Sequence, residues 1–211
     1  MLSIQGRFVE HPGPTQMSAG TARALAQRIW HGHLCPPVDL QQRASQLAAG
    51  APNLAGRVHA LGRFQDEAAR LALRGCLPVP LAALLRPQFE WYGCRGAGFH
   101  TDAHYDAVLF GSWCLAGPGR DIVFARSGLR LSCIAGDLIV FDPFEPHAVL
   151  LAGHGRYDRE HYLDSPANIF LAFELELTAP LRDQFGIAEP APDAIRISSA
   201  TAVNAETGAV G

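Results

Sequence analysis

The sequence has no CxxC pair, no apolar run of membrane length and no basic stretch, and each absence removes a class of protein. Its five cysteines (Cys35, Cys76, Cys94, Cys114 and Cys133) are scattered and odd in number, which excludes a disulfide scaffold and a structural zinc knot. Such usage fits a reducing compartment, so a cytoplasmic location is expected. Cys114 and Cys133 sit in apolar runs and read as small buried hydrophobes. No window approaches the ~18 apolar residues of a membrane span, and the opening MLSIQGRFVEHPGP lacks the basic-then-apolar pattern of a secretory leader. With a net charge of −3 and no basic stripe, the chain carries no footprint for nucleic acid. GxGxxG, GK[ST] and GxSxG are all missing, which argues against nucleotide binding and against a serine-nucleophile hydrolase.

What is present is a chain of 211 residues, 48% hydrophobic and 18% charged, long enough for one domain with a large core. Residues 1–85 read as a mainly helical support region, apart from a strand over Ser3–Val9. Ser18 is placed to cap a helix reading AGTARALAQRIW, and Leu54–Leu73 has apolar residues at roughly helical spacing until CLPVP breaks it. Residues 86–180 change to strand and turn. Eight strands are expected there: Phe89–Tyr92, Phe99–Ala103, Ala107–Leu115, Ile122–Ala125, Leu129–Ile134, Asp137–Phe141, His147–Leu151 and Ile169–Leu177. Eight strands without intervening helices predict a closed barrel or jelly roll, giving a mainly β chain with a helical N-terminal part. Residues 181–211 form an extension, with one more strand over Ala194–Ser198 and fraying after Val203.

The chemistry concentrates in His100-Thr101-Asp102. On a strand, residues i and i+2 face the same way, so an imidazole and a carboxylate can converge on one ion. A further imidazole, His147, follows 47 residues later (147 − 100) behind the segment AGDLIVFDPFEP. Two histidines and one carboxylate leave about three open positions on a metal, the arrangement that non-haem Fe(II) chemistry needs. A second HxD, His104-Tyr105-Asp106, lies four residues on and competes for the ligand role. Asp142 and Glu145 precede His147 and are either the carboxylates that orient its second ring nitrogen or solvated turn acids. Trp91, Tyr92, Phe99, Tyr105 and Trp113 are candidates for pocket wall or for core.

The stretch from Gln88 to Leu177 resembles the Fe(II)/2-oxoglutarate-dependent oxygenases. The residues that carry the likeness are Tyr92 with Gly98-Phe99-His100-Thr101-Asp102, the AGPGRDIVF turn and strand, AGDLIVFDPFEPHAV, and the final strand NIFLAFELEL. The resemblance implies a double-stranded β-helix with flanking helices and Fe(II) held by His100, Asp102 and His147. It also implies 2-oxoglutarate as co-substrate, O₂ as oxidant, and hydroxylation of a small-molecule or amino-acid-like substrate. It favours the first HxD and leaves His104 either behind the ligands or facing substrate, beside the plainer reading of a hydrogen-bonded core or rim histidine. One departure stands out. Members of this family usually carry an Arg or Lys on the strand after the distal histidine, to pair with the far carboxylate of 2-oxoglutarate, and Ile169–Leu177 has neither. Arg156 and Arg159 are then the first candidates for that anchor, with Arg130, Arg126 and Arg95 behind them and hydroxyl contacts from Tyr92 and Ser112. The same departure keeps two alternatives open: a cupin-like metal enzyme that does not use 2-oxoglutarate, and a non-catalytic barrel with a vestigial site. The loop Gly153–Asn168 is either a lid or an ordinary solvated loop. Oligomeric state is not written in the sequence.

Overall fold

The computed structural model describes residues 5–52 and 55–211. The N-terminal region consists of strands β1 (Gln5–Glu10), β2 (Gln16–Ser18), β3 (Arg23–Ala24) and β4 (Arg28–His33), helix α1 (Val38–Gly50), strand β5 (Val58–Phe64), and helices α2 (Glu67–Cys76) and α3 (Val79–Ala83). Then come β6 (Leu85–Cys94), β7 (Ala97–His100), β8 (Val108–Ala116), β9 (Arg120–Phe124), β10 (Arg130–Cys133), β11 (Asp137–Phe141), β12 (His147–Leu150) and β13 (Asn168–Glu176). Helix α4 (Ala179–Phe185) and strand β14 (Ile195–Ile197) follow. No helix among the described residues is long and apolar enough to cross a membrane.

The eight strands β6 to β13 form a double-stranded β-helix with flanking helices. One sheet runs β1-β4-β11-β8-β13-β6-β5 and faces a second of order β10-β9-β12-β7. Every ladder within this barrel is antiparallel. The central strands β8, β11 and β13 of the large sheet are buried on both faces, which explains their continuous apolar runs. On β8, Leu109, Trp113 and Leu115 pack into the cluster that includes Leu40 and Ala44 of α1 and Leu73 of α2, whereas Phe110 and Cys114 point into the barrel. On β13, Leu171 and Phe173 face the helices while Phe170 and Ala172 face inward. Burying a large aliphatic or aromatic side chain contributes roughly 1.5–3 kcal/mol, so this two-sided core outweighs any local preference.

Two of the expected helices are corrected. AGTARALAQRIW forms β3, a turn with Ala22 at φ 48°, and the start of β4 rather than a helix. The reason is tertiary. Neighbouring residues Ile29 and Trp30 are buried in different clusters on opposite faces, a period of two that a helix cannot satisfy. Strand β4 pairs with both β1 and β11. The Leu54–Leu73 pattern divides into β5 and α2, with Asp66 accepting a capping bond from the Ala69 N–H at 2.9 Å. A bulge between Ala60 and Gly62 mimics helical spacing by shifting the strand's register. Ser3 and Leu54, where two of these readings begin, lie outside the described residues.

The C-terminal segment is also corrected. Instead of fraying after Val203, it turns back through a Val203–Val210 bridge. The Phe99 N–H donates to Ala205 O at 2.8 Å, and Gly208 sits against Phe99 and Ala125 where a Cβ would not fit.

Gly111 lies directly opposite Phe173 across the β8–β13 ladder, and a Cβ there would overlap the Phe173 ring. Gly111→Ala is expected to destabilise the fold by about 1–3 kcal/mol. Phe173→Leu added to the same chain should recover part of that loss, measured as the denaturant midpoint.

Candidate metal centre

His100 and His147 face each other as direct partners across the β7–β12 ladder, with ring centroids 4.5 Å apart. Asp102 completes the group from the turn that follows β7. Its carboxylate lies 4.0 Å from His100 Nε2 and 3.7 Å from His147 Nε2, and the three potential ligand atoms all fall within 4.8 Å of one another. Two ligands each about 2.1 Å from a common ion stand roughly 3–4 Å apart, so the spacing suits one cation. The expected mechanism of convergence is only half right. Strand β7 stops at His100, so turn geometry, not the i, i+2 pleat, brings in Asp102.

Both imidazoles are oriented alike. His100 Nδ1 bonds Gly98 O and His147 Nδ1 bonds Glu145 O, each at 2.8 Å and each two residues upstream. A proton on Nδ1 leaves the Nε2 lone pair for the cluster, the tautomer a metal ligand requires. Burial, reinforced by the neighbouring His100 ring and only partly offset by Asp102, pushes His147 down to about 4. It is therefore neutral near pH 7, and the donor set fits a metal ion.

Asp142 and Glu145 do not touch the ring nitrogens, contrary to the first of the two readings made of them, and they are not solvated either. Asp142 is buried and takes two bonds from Arg23, at 2.5 and 3.0 Å. Glu145 is buried and accepts from Arg126 Nε at 2.8 Å, with His11 Nε2 at 3.3 Å. Both carboxylates face away from the site and hold the turn from behind. The turn in turn holds the site: the Asp102 N–H donates to Pro143 O at 2.8 Å.

The competing HxD is separated by the fold. Asp106 accepts from Ser18 Oγ at 2.9 Å, and His104 is exposed, its ring tilted against Tyr105 with centroids 4.0 Å apart. Neither joins the ligand group, although His104 lines the same cavity.

That cavity, about 450 Å³, opens beside the triad. Its inner wall is apolar, with Phe110, Ile122, Ile139, Phe141, Val149 and Phe170. Tyr92 and Ser112 line it as expected, and so do Phe99 and Tyr105. Trp91 and Trp113 instead face the helices. The Tyr92 hydroxyl bonds Tyr105 Oη at 2.8 Å and Glu90 Oε2 at 3.0 Å. Burial, the Tyr105 bond and the nearby carboxylate all push the Tyr92 phenol far up, so it stays protonated.

None of the arginines proposed as an anchor lines this cavity. Arg156 and Arg159 are exposed in the Gly153–Asn168 loop and line a separate surface depression with Glu160. The loop is pinned rather than lid-like, because buried Tyr162 accepts the Leu151 N–H at 2.9 Å and stacks on Tyr157. Arg126 and Arg130 are committed to Glu145 and Asp121, and Arg95 is committed to the carbonyls of Pro52, Ser165 and Ala51. The chain contains no lysine. Among the described residues, Arg57 is the one arginine on the cavity wall, and the sequence reading missed it because it lies far upstream, just before β5.

No family model matches the sequence, and no curated protein does. Among solved structures, the chain is similar to a Pseudomonas putida prolyl-4-hydroxylase at 16% identity, TM-score 0.42, over 72% of this chain and 93% of that one. It is also similar to a salicylate 1,2-dioxygenase from Pseudaminobacter salicylatoxidans at 13% identity, TM-score 0.34, over 72% of this chain and 36% of that one. A third is a cupin 2 conserved barrel domain protein from Salinispora arenicola, at 16% identity, TM-score 0.30, over 62% of this chain and 82% of that one.

Two outcomes follow for this centre. Arg23→Ala leaves the Asp142 carboxylate buried without its partner and should lower stability by about 3–5 kcal/mol. Because Asp142 begins the turn that carries His147, metal affinity should fall in the same variant, read by titration of the folded fraction. The second concerns acid. His147 has a lower pKa folded than unfolded, so between about pH 6.5 and pH 4 the unfolded chain takes up a proton that the native chain does not. Stability of the metal-free protein should drop through that window, and by less in His147→Gln. Parallel curves for the two proteins would contradict a neutral buried imidazole.

Proposed function

We propose that this protein is an Fe(II)-dependent oxygenase that uses 2-oxoglutarate and O₂ to hydroxylate a small-molecule or amino-acid-like substrate. The observation that carries the reading is the convergence of two Nδ1-capped imidazoles and one carboxylate at the edge of a largely apolar cavity. Two nitrogens and one oxygen on one side of an ion leave its other positions facing that cavity, a donor set typical of non-haem iron. Bound iron supplies the oxygen chemistry that no side chain possesses.

The chain's own residues have distinct tasks in this reading. His100 and His147 present Nε2, and Asp102 adds the single negative charge that helps retain a divalent cation. Phe110, Phe141 and Phe170 exclude water and pack against an apolar body. Tyr92 and Ser112 offer hydroxyls to a polar group of the ligand. With its phenol protonated, Tyr92 serves as a donor or acceptor and not as a base.

One observation favours a second reading, a metal enzyme of the same fold that does not use 2-oxoglutarate. Among the described residues, the apolar inner wall formed by Phe110, Ile122, Ile139, Phe141, Val149 and Phe170 carries no arginine to receive a second carboxylate. Anaerobic titration separates the two. Fe(II) followed by 2-oxoglutarate is expected to give the weak visible charge-transfer band of the chelate. Iron binding without that band favours the second reading, and no iron binding removes both. His147→Ala should abolish iron retention, measured as metal content after desalting, with the circular dichroism of the fold retained. His104→Ala should keep its iron; loss there would mean that the second HxD supplies the ligands.

A further inference from the structure

We propose that Arg57 is the anion clamp of this cavity, so that what binds between it and the triad is a carboxylic acid. The inference rests on the metal-site reading above and adds the residue and the ligand class that reading leaves open.

The charge inventory points to this. Ten of the seventeen arginines are engaged by carboxylates or by carbonyl and hydroxyl oxygens. Arg57 has no hydrogen bond or ion pair with any described residue, is exposed, and lines the same cavity as His100, Asp102 and His147. Among the described residues, the only carboxylate on that wall is Asp102, which faces the two imidazoles. A cation with no partner among the described residues, on the wall of an apolar cavity, is a ready site for an external anion, because its planar fork fits a carboxylate in bidentate fashion.

The position of Arg57 is also fixed. Just upstream, Gly56 donates its N–H to Gly96 O at 2.9 Å and bridges to Ala97, the first residue of the strand that ends in His100. Gly56 has φ 89° and lies against the Tyr157 hydroxyl, where a Cβ would not fit, so a glycine is required for this approach. The backbone that bears the clamp is therefore tied to the backbone that bears a ligand. A bound acid would span from the apolar interior to the guanidinium, with its reactive end at the triad.

Two sources can supply the carboxylate: the far end of the co-substrate or the primary substrate. Binding is measured by calorimetry, anaerobically, on the full chain with and without Fe(II), using 2-oxoglutarate, 2-oxopentanoate (which lacks the far carboxylate) and phenylacetate. The expected result is that Arg57→Gln weakens binding of at least one acid about 2- to 5-fold, the loss of one ion-pair contact at an exposed site, with iron affinity unchanged. Arg57→Lys should recover part of the affinity and Arg57→Glu should lose more. If wild type prefers 2-oxoglutarate to 2-oxopentanoate and Arg57→Gln abolishes the preference, the clamp holds the co-substrate. If only phenylacetate binding falls, it holds the substrate. Equal binding of all three acids to wild type and Arg57→Gln overturns the clamp and leaves the oxygenase reading intact, as does a wild type that binds iron but none of the acids. A wild type that binds no iron overturns the metal-site reading, and the iron-free titrations then decide on Arg57 alone.

Discussion

The site depends on the turn Asp142–Pro146 being held rigid. Three of its backbone carbonyls reach the surroundings of the triad: Pro143 O receives the Asp102 N–H, Glu145 O receives His147 Nδ1, and Pro146 O receives the Ala125 N–H. A five-residue turn with two prolines has little conformational freedom, yet it would still drift without anchors on its outer side. Those anchors are two buried ion pairs, Arg23–Asp142 and Arg126–Glu145, with His11 beside the second. Buried pairs of this kind add little net stability but are severe to break, which makes them effective at specifying one geometry. Arg126 Nη2 also donates to Ala26 O at 2.5 Å and Ala26 N donates to Asp142 at 3.1 Å, so both pairs converge on the β3–β4 segment. The N-terminal strands are therefore part of the support of the metal centre, not a separate cover.

That coupling explains why the region 1–85 departs from a simple helical reading. The residues following Ser18 have a composition that suits a helix, and nothing local contradicts one. What overrides it is the demand of the large sheet for another strand beside β11 and of the turn for two arginine-side contacts. Both demands come from residues more than 100 positions away in sequence, such as Asp142 for Arg23. By contrast, all eight strands expected between Gln88 and Leu177 form, because most are bounded by a glycine- or proline-containing turn and need no distant information to be seen; the link at residues 101–107 has neither residue, and there the strand expected to reach Ala103 stops at His100. Strand β11, read as Asp137–Phe141, has those bounds in the structure.

The triad was legible for the same reason. His147 follows a turn and a strand of recognisable pattern, and His100 precedes the change into the long strand β8. What the spacing could not disclose was the choice between two overlapping HxD groups, since an extended chain would put all four side chains on one face. The end of β7 at His100 settles the geometry: beyond it the chain turns, Asp102 swings toward His147, and Asp106 is taken up by Ser18. The arginine on the cavity wall was not legible from the order of the barrel strands, because the cavity recruits part of its wall from Gly56, Arg57, Val58 and Ala60, at the start of an edge strand of the large sheet.

The distribution of charge then constrains the ligand more tightly than the fold does. A divalent ion on the triad would be only half neutralised by Asp102, and Arg57 adds a second positive centre at the mouth. Between them lies an apolar wall with Tyr92 and Ser112 as its polar interruptions. A cationic or strongly polar molecule would gain nothing there and would lose its hydration. Under the proposal made for Arg57, an acid with an apolar middle would satisfy both ends at once, with its carboxylate outward at the guanidinium and its other end inward at the triad. The barrel alone leaves that direction undetermined; in this proposal it would be set by a single guanidinium whose backbone is tied, through Gly56 and Ala97, to the strand that ends in His100.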